Sequence, residues 1–133
     1  MNEQAAKEWL KKAWHNLSGA KIFYTVNHYT DVTAVELHYA VEKILKSLIA
    51  YENNKIPKTH QLVDISLLID NYINLEENKF LLDQISNYHI EESYPQYERE
   101  LPSRKEIEEV LNFTIELFEK VCNILKIDKE ELK

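Results

Sequence analysis

Ala34-Val35-Glu36-Leu37-His38-Tyr39-Ala40-Val41-Glu42-Lys43-Ile44-Leu45-Lys46-Ser47-Leu48 returns to an apolar residue every three or four positions. That is the repeat of an α-helix, which places Ala34, Leu37, Val41, Ile44, Leu45 and Leu48 on one face. Beside that face runs a polar row, His38, Glu42 and Lys46, in which successive members stand four residues apart. An imidazole, a carboxylate and an ammonium therefore stack along one line. The bland reading of Glu42 and Lys46 is a solvent-exposed ion pair, worth about 0.3–0.5 kcal/mol. The sharper reading starts from the row's position: a polar group flanking a core is partly desolvated and needs a partner, a common setting for a binding or catalytic site. A metal held by His38 and Glu42 lacks a third ligand at recognisable spacing, so no metal is expected.

Outward from this helix the same periodicity recurs. Ala6, Trp9, Leu10, Ala13, Leu17, Ala20 and Tyr24 predict a first helix over Glu3–Val26, with Gly19 as a candidate for a close helix contact. The second helix is expected to begin near Asp31 or Thr33, where Thr33 and Glu36 form a capping-box pattern, and to reach Tyr51. Asn53 to Lys58, with Pro57, reads as a loop. Shorter helices are expected over His60–Tyr72 and Glu76–His89. The last helix starts at Ser103, with Glu106 completing a second capping box, and its stripe Ile107, Val110, Leu111, Ile115, Phe118, Cys122 and Leu125 reads as core. Ile90 to Pro102 has two prolines, two tyrosines and no helical period. It is the one long irregular loop, the kind of segment whose side chains scaffold helices leave accessible.

The 133 residues fit one domain over 1–133, long enough for a core without disulfides or a structural metal. One glycine and three prolines leave almost no β-turn punctuation, so the chain is expected to be all-α. The net charge of -7 disfavours sequence-blind binding to a phosphate backbone, although a local basic patch can coexist with it. Cys122 is the sole cysteine, which excludes an internal disulfide and a cysteine-based metal cluster and fits a reducing compartment. The charged start, Met1 to Lys12, lacks the apolar core of a signal peptide, and no stretch approaches the roughly 20 apolar residues of a membrane span. A cytoplasmic location is expected, with no membrane association and no cofactor.

Among single residues, His60 either orients the short helix it begins, behind Pro57 and Thr59, or faces a ligand across from the polar row. Tyr94 either stacks on a base or buries its ring. Trp9 and Trp14 read as core or dimer-interface residues, and Cys122 as a small core residue. Glu106, Glu108 and Glu109 suit a helix N-terminus and its dipole.

Leu37 to Leu48 resembles the "AxEKxLKALL" signature of HEPN domains. An aromatic-rich first helix with Trp9, a "THxL" element at Thr59-His60-Gln61-Leu62 and a "YP" element at Tyr94-Pro95 follow the order of that family, so the resemblance spans about residues 5 to 125. It implies an antiparallel up-and-down bundle of four to five helices, usually a homodimer, in a fold associated with nucleotide binding and RNA cleavage. Many small prokaryotic members are encoded beside a minimal nucleotidyltransferase as a toxin–antitoxin pair. The ribonuclease branch uses an "RxxxxH" motif, in which arginine stabilises phosphate charge and histidine acts as acid or base. This chain departs from it: its only arginines are Arg99 and Arg104, no histidine follows either, and His89 precedes Arg99. In the branch with an "RYPD" element, Ser93 stands where that arginine would be, which removes a bidentate phosphate contact.

The resemblance thus implies a nucleotide- or partner-binding module without efficient RNase activity. Its nucleotide-binding residues would be Glu42, Lys46, Tyr94, Arg99 and Arg104, with Lys46 on phosphate, Tyr94 on a base and an arginine supplying charge. Two alternatives stay open. One is a metal-independent endoribonuclease in which His38 or His60 replaces the missing motif histidine; the other is a purely structural interaction module.

Overall fold

Apolar residues at helical spacing produce five α-helices among the residues that the computed structural model describes, 1–91, 95 and 100–133. They are α1 (Glu3–Thr25), α2 (Thr30–Tyr51), α3 (Leu62–Leu68), α4 (Lys79–Glu91) and α5 (Arg104–Leu125). Short 3-10 turns, Glu76–Asn78 and Lys129–Leu132, precede α4 and follow α5. No strand occurs among the described residues, and the helices form a bundle. No helix there is long and apolar enough to cross a membrane.

α1 and α2 form an antiparallel hairpin, closed where the Asn2 amide donates to the Tyr51 carbonyl at 2.8 Å. α5 runs antiparallel to α1. At one end Arg104 donates to Tyr24 O, and at the other Lys7 pairs with Glu131 in the turn beyond α5. α2 is central, packed against α1, α3, α4 and α5. Its expected face, Ala34, Leu37, Val41, Ile44, Leu45 and Leu48, is fully buried, and so are Ala40 and Ser47 outside that face. A helix surrounded on most sides buries polar positions as well as apolar ones.

With one glycine in the chain, the three long helices are terminated by other residues. Asn27, Asn53 and Lys126 take positive φ of 58°, 59° and 56°. Each sits in the left-handed position of a Schellman-type end, as where His28 N donates to Phe23 O and Asn27 N to Tyr24 O. Asparagine tolerates this conformation better than lysine does, because its short polar side chain can bond locally.

The early reversal at Asn27 lets α2 begin at Thr30, ahead of the expected capping box. Its N-cap is Tyr29 without a side-chain cap; Thr33 Oγ1 donates to Tyr29 O and Glu36 accepts from Asn16 Nδ2. At α5 the first half of the expected box forms, with Ser103 Oγ accepting from Glu106 N at 3.0 Å. The Glu106 carboxylate accepts instead from the Tyr88 hydroxyl of α4. α3 is shorter than expected at both ends. Beyond Leu68 the polar run Asp70-Asn71 and Asn74 turns the chain, Asn74 Oδ1 accepting from Glu76 N, because such side chains compete with helical backbone bonding. Gly19 marks no close contact: a Cβ built there meets nothing within 4 Å.

Candidate functional site

α2 carries His38, Glu42 and Lys46 one turn apart, and its neighbours bury them to 0%, 5% and 5% exposure. The expected solvent-exposed ion pair is therefore a buried one, because α3 and α4 cover the side that the sequence left open. Glu42 is the hub. Its Oε2 accepts from Lys46 Nζ at 2.9 Å, while Oε1 lies 3.0 Å from His38 Nε2 and 2.7 Å from His60 Nδ1. Among the described residues no buried side-chain nitrogen or oxygen lacks a partner.

His60 reaches the cluster from the segment before α3, which is anchored by Leu62 N donating to Ser86 Oγ of α4 at 2.8 Å. It does not cap α3, whose N-cap is Gln61. Its ring turns instead to the polar row, with Nδ1 on Glu42 Oε1. A third histidine joins it: His89, in the last turn of α4, stacks on His60 with ring centroids 4.1 Å apart and planes at 21°. His89 also lies 5.1 Å from His38. The His60 side chain is 46% exposed, so this histidine pair forms the accessible edge of an otherwise buried cluster.

The electrostatics follow from the contacts. Burial pushes the Glu42 carboxyl up, but hydrogen bonds from His38, His60 and Lys46, with the Lys46 charge, outweigh it and hold the group at about 2. Glu42 is thus an acceptor at neutral pH. Burial lowers the His89 pKa, and the charges of His60 and His38 lower it further against the pull of Glu42. His38 Nδ1 must donate, since its partner at 2.9 Å is the Ile85 carbonyl. Its Nε2 faces Glu42 Oε1, so both ring nitrogens are engaged.

Arg104 stands elsewhere. Its guanidinium lies 4.0 Å over the Tyr24 ring and donates to Tyr24 O and to Asn27 Oδ1, holding the α1 end rather than the Glu42 cluster. Lys46 is buried and engaged by Glu42 at 2.9 Å. Tyr94 and Arg99 lie outside the described residues. A shallow groove opens on α1, lined by Glu8, Trp9, Lys11, Lys12, His15 and Lys43. Convergent buried polar groups are lacking there, and we place the site at Glu42. Trp9 is half-buried on that groove, whereas Trp14 packs on Phe118 at 5.7 Å. Cys122 is a core residue, with burial pushing its thiol up to about 11.

The HEPN domain family model matches residues 6–126. The chain belongs to the HEPN family. Its fold is shared with a solved protein, the crystal structure of TT1696 from Thermus thermophilus, at a TM-score of 0.78 and 24% identity over 93% of this chain and 99% of that one. No curated protein matches the chain. Within this HEPN domain the signature helix α2 is the one that carries the Glu42 cluster. His89 is the member that sequence reasoning missed. Its one signal was a place in the last turn before the irregular loop, and no spacing tied it to His38 or His60.

Proposed function

We propose that this HEPN protein is a nucleotide- or RNA-binding module whose phosphate-recognising edge is the stacked His60–His89 pair. It acts as a homodimer with a minimal nucleotidyltransferase in a toxin–antitoxin-type pair. The observation that carries the reading is the Glu42 cluster: one carboxylate among His38, Lys46 and His60, a local excess of donors in a chain of net charge -7. The ring nitrogens of His60 and His89 that Glu42 does not engage stand at the accessible edge, where imidazole N–H groups suit phosphate oxygens. The dimer and the nucleotidyltransferase rest on the family resemblance.

Thermal-shift titration with ATP, GTP and short RNA, in the presence of a chelator, tests the reading. A ligand at about 100 times its Kd stabilises by about 2.7 kcal/mol, on the order of 10 °C in Tm for a domain of this size. We expect such a shift for one ligand and its loss in His60→Ala protein. No shift with any ligand would leave the interaction-only reading.

A second reading is favoured by the His60 Nδ1 contact with Glu42 at 2.7 Å, which leaves Nε2 on a half-exposed ring as an acid or base. In that case the protein is a metal-independent endoribonuclease acting through His60. His38, fully buried with both nitrogens engaged, is unsuited to that role. Cleavage of RNA in chelator that disappears in His60→Ala protein would support this; intact RNA with pure wild-type protein ends it.

A further inference from the structure

We propose that His38 Nε2, Glu42 Oε1 and His60 Nδ1 form a site for a divalent transition-metal ion of the zinc class. The sequence offers His38 and Glu42 one turn apart and no third ligand. The fold brings His60 in from the segment before α3. All three donor atoms lie within 4.8 Å of one another, and Glu42 Oε1 is 3.0 Å from one imidazole nitrogen and 2.7 Å from the other. Tetrahedral coordination at about 2.0–2.2 Å separates neighbouring ligand atoms by roughly 3.4 Å. Glu42 Oε1 would open by about 0.4–0.7 Å from the two imidazole nitrogens, which stand within 4.8 Å of each other and close on the ion by rotation of the half-exposed His60 ring.

The surroundings match those of metal ligands. His38 donates its other ring N–H to the Ile85 carbonyl at 2.9 Å, which turns Nε2 toward Glu42 Oε1. A backbone carbonyl on the non-ligating nitrogen is a common outer partner of a metal-bound histidine. Lys46 plays the corresponding part for the carboxylate, holding Oε2 at 2.9 Å and leaving Oε1 to coordinate. Its ammonium opposes a cation. The Glu42 carboxylate stands between the two, with Oε2 on the ammonium and Oε1 on the imidazoles. Two imidazoles and one carboxylate select zinc-like ions over magnesium or calcium. Three protein ligands with a half-exposed His60 leave a position for water or an anionic ligand, the pattern of an open site rather than a closed structural one.

The inference stands apart from the nucleotide reading, because it is tested with the metal alone. Untagged protein stripped by chelator is titrated with Co2+, followed by its visible absorption, and the bound ion is then displaced with Zn2+. We expect one ion per chain with the d–d bands of a low-coordinate nitrogen and oxygen site. Those bands should be lost in His60→Ala protein, with circular dichroism unchanged, and kept in His15→Ala protein. Absence of the bands in wild type, or their persistence in His60→Ala protein, overturns the site. If His60→Ala protein does not fold, X-ray absorption at the zinc edge of wild type decides. Two imidazoles with oxygen support the site, and oxygen alone overturns it. Nucleotide shifts measured in chelator are read separately, so either proposal can fail without the other.

Discussion

Glu42 shows how far the setting of one side chain departs from what its neighbours in sequence suggest. An i,i+4 Glu–Lys pair on a free helix face contributes a few tenths of a kcal/mol, whereas here the carboxylate accepts from three side chains in a buried position. Its pKa is held at about 2 in the folded protein against an ordinary 4.5. A depressed carboxylate stabilises the fold fully above its unfolded value and loses that contribution as pH falls through the folded one. Stability should therefore decline from about pH 4.5 towards about pH 2, by an amount on the order of 3 kcal/mol from this group. Urea titrations of wild-type and Glu42→Gln protein at several pH values check this: the variant should be less stable at neutral pH and lack that part of the acid slope. Equal slopes in both proteins would assign acid sensitivity to other carboxylates.

Helix by helix, the chain places its one glycine where the backbone does not use it and lysine where glycine would fit. Gly19 sits inside α1 with open space around its missing Cβ, while Lys126 closes α5 at φ 56°. Gly19→Ala should raise stability by about 0.5–1 kcal/mol, through lower entropy of the unfolded chain and better helix propensity. Lys126→Gly should raise it by about 1 kcal/mol by relieving the left-handed penalty. Chemical denaturation of each variant measures the effect, and a loss of stability in either would show a contact that this geometry lacks. Helix spacing and the Ser103 cap were readable directly, because periodicity and capping are local. The start of α2 and the ends of α3 were not, since the Asn27 reversal and the Asn74 turn set those boundaries.

The packing of the helices around α2 sets the chemistry of groups that the sequence treats as ordinary. Cys122 is 2% exposed, its thiol pushed up by burial, so it should be unreactive towards a thiol reagent in native protein. Its modification should follow global unfolding, with a rate that rises with urea in step with the loss of helicity. Rapid labelling under native conditions would mean that α5 opens locally.

By itself, the sequence determined that the chain is helical and where most of its helices lie. It also determined that His38, Glu42 and Lys46 share a line on α2 and that the ordered motifs are those of a HEPN domain, because period, caps and signature are local properties. The tertiary structure alone decided that this line is buried, that His60 and His89 close over it, and that Arg104 is held by Tyr24 at the end of α1. Each of these depends on how segments distant in sequence pack, and helical spacing specifies only which residues share a face, not what covers that face.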